Sequence, residues 1–108
     1  ERIFGSQLMM QWWSLKMTKD EVLSVLKKHK FDIYRNIGFM IWSTRGDTYL
    51  VYTFENINQV VSVSFNRKPN IVKSTKVMRE LFGERFTHLK SHPMDGVNCN
   101  YFRLETLN

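Results

Sequence analysis

The sequence contains no alanine, and this absence bears on its fold class. Alanine is the strongest helix former, whereas strand formers such as Val, Ile, Phe and Tyr are plentiful here. The composition therefore argues against an alanine-rich helical bundle. An apolar share of 43% argues against disorder, and 108 residues suit a single domain with one core between two layers.

Cysteine is nearly absent as well. Cys99 is the only cysteine, so no disulfide can form within the chain. The sequence also lacks any run of about 18 apolar residues, the length that a helix needs to cross a membrane. The chain begins at Glu1, which is consistent with the mature part of an exported protein or with an excised segment.

The charge is unbalanced, with 16 Lys and Arg against 10 Asp and Glu, a net charge of +6. A positive surface favours encounters with nucleic acid, acidic lipid or an acidic protein, and it also promotes solubility. The basic residues form two clusters in the sequence: Lys27, Lys28 and Lys30, then Arg67, Lys68, Lys73, Lys76 and Arg79. Combined with exposed aromatic side chains, these clusters would suit a basic nucleic-acid-binding module.

The clearest secondary-structure signal lies between Thr18 and Lys30, where the sequence predicts an amphipathic helix. Thr18 and Glu21 have the spacing of a capping box, and Met17 and Val22 that of a hydrophobic staple. Acidic residues occupy the first turn and lysines the last, as the helix dipole favours. Such a lysine cluster therefore has a structural explanation. The predicted buried stripe comprises Val22, Leu23, Val25, Leu26 and His29.

Three strand-like runs follow this helix. Residues 33–43 form a long run in which Gly38 indicates a bulge or bend. Residues 48–54 and 59–66 alternate between apolar and polar positions, and short turns at 44–47 and 55–58 make the neighbouring strands antiparallel.

A second helix is predicted from Asn70, a good N-cap residue, to Gly83, a good residue for ending a helix. Two further strands, at 85–90 and 97–106, complete the chain. The predicted fold is α+β, in the order helix, three strands, helix, two strands, with both helices on one face of an antiparallel sheet. The residues predicted to share one face of the second helix are Ile71, Thr75, Met78, Leu81 and Phe82.

The segment 15–23, which reads LKMTKDEVL, resembles a recurring bacterial pattern in which Met-Ser/Thr-Lys-Glu-Glu-Val opens a helix that leads into a β-meander. Over residues 15–65 the chain resembles the β-lactamase-inhibitory-protein-like fold of small outer-membrane assembly lipoproteins and other exported bacterial domains. The resemblance implies a periplasmic or cell-envelope setting and a role in protein binding. It carries over no functional residue.

Residues 1–16 form an apolar N-terminal segment without a clean period. Leu8, Trp12 and Leu15 would share one helical face, while Trp13 would lie on another side. The segment is interpreted either as a first strand or short helix of the core, or as an exposed hydrophobic contact site that includes Trp12 and Trp13.

Residues with catalytic or metal-binding potential occur near the C-terminus. His88, His92, Asp95 and Cys99 are zinc-ligand types, and Cys99, His88 and Asp95 are also the residue types of a nucleophile, a base and an orienting group. Their spacing matches no strong motif, so ordinary strand and loop roles are preferred. The tripeptide Arg45-Gly46-Asp47 is interpreted as a hairpin turn rather than an adhesion motif.

The sequence thus predicts a non-enzymatic protein-binding or accessory domain, without a cofactor, a metal or a catalytic site. Its setting would be the periplasm, the cell envelope or the exterior, with the cytoplasm as the alternative. The partner would be another protein or a second copy, bound through large aromatic residues on the uncovered sheet face. The predicted contact residues there are Trp42, Tyr49 and Tyr101, and the strand parity of Trp42 and Tyr101 is left open.

Overall fold

The computed structural model describes residues 16–55 and 58–104. These residues form two helices and a six-stranded antiparallel sheet with the strand order β1-β2-β3-β4-β6-β5. The α+β class is therefore confirmed. The elements are α1 (Lys19–Lys28), β1 (Asp32–Ile37), β2 (Met40–Arg45), β3 (Thr48–Phe54), β4 (Gln59–Phe65), α2 (Ile71–Phe82), β5 (Phe86–His88) and β6 (Asn100–Leu104).

The predicted element order was wrong in one respect, because four strands rather than three separate the helices. The run 33–43 folds back on itself as the β1–β2 hairpin, with Gly38 and Phe39 as its two turn residues. Gly38 has a φ of 61°, and Gly46, the first turn residue of the β2–β3 hairpin, has a φ of 63°. Two-residue hairpin turns need a positive φ at this position, which glycine adopts without strain.

The N-terminus of α1 has the predicted capping box. The backbone N–H of Glu21 donates to the Thr18 hydroxyl at 3.1 Å, and the Thr18 N–H donates to the Glu21 carboxylate at 2.8 Å. Met17 and Val22, the predicted staple residues, both belong to the buried core. The helix ends earlier than predicted, and Lys30 has a φ of 70°, which turns the chain toward β1.

One face of the sheet forms the core with both helices. Antiparallel pairing places paired residues on the same face, so Ile41, Leu50, Val61 and Phe102 point to the same side. These side chains are buried together with Val22 and Leu26 of α1 and with Val77, Met78, Leu81 and Phe82 of α2. The predicted alternation of β3 and β4 is confirmed, since their buried residues are those of one parity.

Tyr52 lies at the centre of this core. Its ring centroid is 5.6 Å from that of Phe82 and 5.8 Å from that of Phe86. Its hydroxyl donates to Gln59, whose amide also binds the backbone N–H and carbonyl of Met17. Gln59 thereby joins the sheet to the segment that leads into α1.

The buried face of α2 differs from the predicted one. Asn70 caps the helix by accepting from the Lys73 N–H at 3.1 Å, and Gly83 ends it, as predicted. However, Ile71 remains 42% exposed, and Thr75 is only half-buried. The buried stripe therefore begins one turn later than predicted and comprises Ser74, Val77, Met78, Leu81 and Phe82.

Candidate interaction surface

The second face of the sheet is not covered by α1 or α2. The register aligns Trp42 with Val51, Val51 with Ser62, and Ser62 with Tyr101. Tyr49 pairs with Thr44 and Ser64 on the same face. Trp42, Tyr49 and Tyr101 therefore share this face, which we call the open face. The register settles the parity that the sequence left open for Trp42 and Tyr101.

Trp42 lies near the β1 edge of the open face. Arg35 pairs with it across the β1–β2 hairpin, and the Arg35 guanidinium carbon lies 4.9 Å from the centre of the Trp42 ring. This geometry is that of a cation–π contact, which is worth about 0.5–1 kcal/mol at an exposed site. Trp42 remains partly exposed beside this contact.

Tyr101 lies on β6, where the β5–β6 loop brings a second aromatic ring against it. The His92 ring stacks on the Tyr101 ring with a centroid distance of 3.8 Å and an interplanar angle of 12°. Burial and the neighbouring Cys99 raise the pKa of Tyr101 to about 12. The hydroxyl therefore stays protonated at neutral pH.

The possible catalytic and metal-binding residues are engaged in structural contacts. His88 Nε2 lies 3.0 Å from a carboxylate oxygen of Asp95, and the Asp95 carboxylate also accepts the backbone N–H of Tyr101 at 2.8 Å. His92 Nδ1 accepts the backbone N–H of Met94 at 3.1 Å. Burial raises the pKa of the Cys99 thiol, which lowers its thiolate fraction. Across 16–55 and 58–104, no three His, Cys, Asp or Glu side chains cluster as metal ligands.

All residues of the two basic clusters except Arg79 lie at one end of the sheet. This end contains the C-terminus of α1, the β2–β3 turn, the β4–α2 connection and the β5–β6 loop, because the strands alternate in direction. It carries the exposed Lys27, Lys28, Lys30, Arg67, Lys68, Lys73 and Lys76. Arg79 lies farther along α2 and faces Glu84 at 3.7 Å.

Two of the predicted contact residues, Trp12 and Trp13, lie outside the described residues. Sequence reasoning missed Arg35 and His92 as neighbours of the predicted aromatic residues. The Arg35 contact depends on the β1–β2 hairpin. The sequence indicates a bulge or bend at Gly38 within one long strand, whereas Gly38 is the first turn residue of this hairpin. The His92 contact depends on a loop conformation for which the sequence carries no periodic signal.

Comparison with protein-family models, curated proteins and solved structures finds no match to this chain. In the part of the chain that the structure describes, no helix is both long and apolar enough to cross a membrane.

Proposed function

We propose that this chain is a non-enzymatic protein-binding or accessory domain whose contact surface is the open face. The observation that carries the proposal is the alignment of Trp42, Tyr49 and Tyr101 on one face that neither helix covers. Large, partly exposed aromatic side chains supply most of the binding energy in many protein interfaces. Another protein or a second copy of the chain would be the partner.

The rest of the open face is consistent with such an interface. Its centre is apolar or small and neutral, with Val51, Thr53, Val60 and Ser62 on adjacent strands. Interface centres are depleted in charged residues, whereas their rims are polar. Arg103 is exposed toward one margin of this surface. The proposed setting, the bacterial periplasm or cell envelope, rests on the resemblance of residues 15–65 to exported domains.

The alternative, a nucleic-acid-binding module, needs cations beside the aromatic rings. On the described part of the open face the cationic side chains are Arg35 and Arg103, and Arg35 already contacts Trp42. Lys73 and Lys76 lie on α2, on the opposite side of the sheet. The aromatic rings that could stack on bases and the α2 lysines that could bind phosphates therefore lie on opposite sides of the sheet. Protein binding is the better proposal for the open face.

Site-specific photo-crosslinking tests the proposal in bacterial cells that produce the chain. A photoreactive phenylalanine analogue replaces Thr53, on the open face, or Ser24, which is exposed on α1. We expect a discrete adduct from position 53 and none from position 24. An adduct of twice the chain mass indicates self-association, and any other mass indicates a different protein.

A double variant, Trp42→Ala with Tyr49→Ala, provides the second arm. It should abolish the adduct from position 53, because truncation of aromatic anchors typically costs 2 kcal/mol or more of binding energy, roughly a 30-fold loss of affinity. Light scattering of the purified proteins checks self-association independently. Equal adducts from both positions, or an adduct that persists in the double variant, would refute the proposal.

A further inference from the structure

The end of the domain that carries the basic clusters also exposes apolar side chains. Val72 is 69% exposed in the first turn of α2, beside the exposed Ile71. Val97 is 60% exposed in the β5–β6 loop, which also exposes Met94. These four residues lie outside the open face and outside the core. Nothing in the packing of the described fold requires them to be apolar.

A buried asparagine holds the two apolar segments together. The Asn100 side-chain oxygen accepts the backbone N–H of Asn70, at the start of α2, at 3.0 Å. The amide nitrogen of Asn100 donates to Asp95, in the β5–β6 loop, at 3.4 Å. Asn100 thus joins the first turn of α2 to the β5–β6 loop, so the exposed apolar side chains of both segments lie at the same end of the domain.

Exposed basic residues precede both apolar segments in the chain. Arg67 and Lys68 immediately precede α2, and both are exposed. Lys90 is exposed where the β5–β6 loop begins. The backbone N–H of Asn66 donates to the Asp47 carbonyl at 3.0 Å and so ties the β4–α2 connection to the β2–β3 turn.

The C-terminus of α1 extends the basic surface. Arg45 donates to the His29 carbonyl at 2.9 Å, and Arg45 also lines a shallow groove with Lys73 and Lys76. This chain of contacts brings Lys28 and Lys30 to the same end of the domain. Of the two carboxylates in the groove, Glu80 is paired with Arg45 at 2.9 Å, which leaves Asp47 as the acidic side chain among the lysines.

We propose that this end, here called the basic end, docks on a membrane surface that contains anionic lipids. The lysines and arginines would contact the headgroups, while Ile71, Val72, Met94 and Val97 would enter the boundary between headgroups and acyl chains. Basic residues with adjacent exposed apolar residues are the pattern of interfacial membrane binding. A nucleic acid would use the positive charge but would leave the four apolar side chains in water. This inference does not depend on the proposed function of the open face.

Sedimentation with vesicles tests the proposal on the full chain. One vesicle set contains equal parts of phosphatidylglycerol and phosphatidylcholine, and the other contains phosphatidylcholine alone. We expect binding to the anionic vesicles that weakens as salt is added, and much weaker binding to the neutral ones. Equal binding to both sets, or no binding to either at low salt, would overturn the proposal.

Variants assign any binding to the basic end. Lys28→Gln with Lys68→Gln should weaken binding about fivefold for each lysine removed, the effect of one basic residue near an anionic surface. The matched control is Lys16→Gln with Arg103→Gln, because both residues are exposed outside this end. Equal losses in the two double variants would mean that net charge alone drives binding, which contradicts a localised docking surface.

A second pair of double variants distinguishes binding to lipid from binding to nucleic acid. Val72→Ser with Val97→Ser should weaken vesicle binding severalfold, whereas Ile37→Ser with Phe39→Ser, which changes exposed apolar residues at the opposite end, should not. All four residues are surface residues, and urea unfolding confirms that the variants fold. If a single-stranded oligonucleotide binds through Lys28 and Lys68 while the vesicles do not, the basic end is a nucleic-acid surface and the lipid proposal is wrong.

Discussion

Tyr49 and Tyr52 lie three residues apart on β3 and illustrate the difference between the two faces of the sheet. Tyr52 is fully buried among aromatic rings and hydrogen-bonded to Gln59, whereas Tyr49 is 40% exposed on the open face. The core face must be apolar for the domain to fold, since hydrophobic burial is the main stabilising term. The open face has no such requirement from the helices. Its aromatic residues are therefore the basis of the proposed role in binding.

The largest expected effect distinguishes these two tyrosines. Tyr52→Ala should lower the free energy of unfolding by about 3–5 kcal/mol, because it removes a large buried side chain and leaves a cavity beside Phe82 and Phe86. Tyr49→Ala should cost less than about 1 kcal/mol, as expected for a cross-strand neighbour on a solvent-facing surface. Urea unfolding measures both values. Similar losses in the two variants would show that the open face is also part of the core.

Substitution of Asn100 tests how much its buried hydrogen bonds stabilise the core side of the sheet. Its side chain accepts from the Asn70 N–H and the buried Ser74 hydroxyl, at 3.0 and 3.3 Å. Asn100→Ala leaves these donors without this acceptor, and we expect a loss of about 1–3 kcal/mol in unfolding free energy. Asn98→Ala, at an exposed loop position, is the control and should change stability little. A loss below about 0.5 kcal/mol for Asn100→Ala would mean that water replaces the amide.

The cap of α1 has a smaller expected effect, because it stabilises the helical layer only at one terminus. Thr18→Ala should lower stability by about 1 kcal/mol, since the Glu21 N–H loses its acceptor. Thr18→Ser retains a hydroxyl and should restore most of the loss. If serine is as destabilising as alanine, the methyl group of Thr18 rather than the capping bond carries the effect.

The core side of this fold was largely predictable from the sequence. The capping box, the alternation of β3 and β4, and the Asn70 and Gly83 boundaries of α2 depend on local chemistry that a few neighbouring residues specify. The β1–β2 hairpin was not predictable in the same way. Its turn residues, Gly38 and Phe39, lie inside an apolar run, and a glycine there is compatible with either a bulge or a reversal.

The candidate surfaces were less predictable than the core, because they depend on pairing between distant strands. Trp42 and Tyr101 share the open face only because β4 pairs with β6, although α2 and β5 lie between these strands in the sequence. The basic end is likewise a product of topology, since the alternating strand directions bring Lys28 to the same end of the sheet as residues about forty positions later in the chain. Local periodicity contains no information about such neighbours.

The smallest expected effect concerns the rim of the helical layer, where Arg45 donates to both oxygens of Glu80 at 2.9 Å. The hydrogen bond from Arg45 lowers the pKa of Glu80 below its usual value of 4.5. A lowered folded-state pKa means that this pair stabilises the fold above about pH 4.5, and that the contribution is lost as the pH falls through the folded-state pKa. Because Glu80 is 40% exposed, the effect should stay within about 1 kcal/mol.

The free energy of unfolding, measured at neutral and at acid pH, tests this ion pair. Glu80→Gln should be less stable than the wild type at neutral pH, and the difference should shrink in acid. The control is Glu84→Gln, which should show no such change, because the Glu84 carboxylate is mostly exposed and 3.7 Å from Arg79. If Glu80→Gln is destabilised equally at both pH values, the Arg45 contact acts through packing rather than charge. The rim would then belong to the apolar core rather than to its polar boundary.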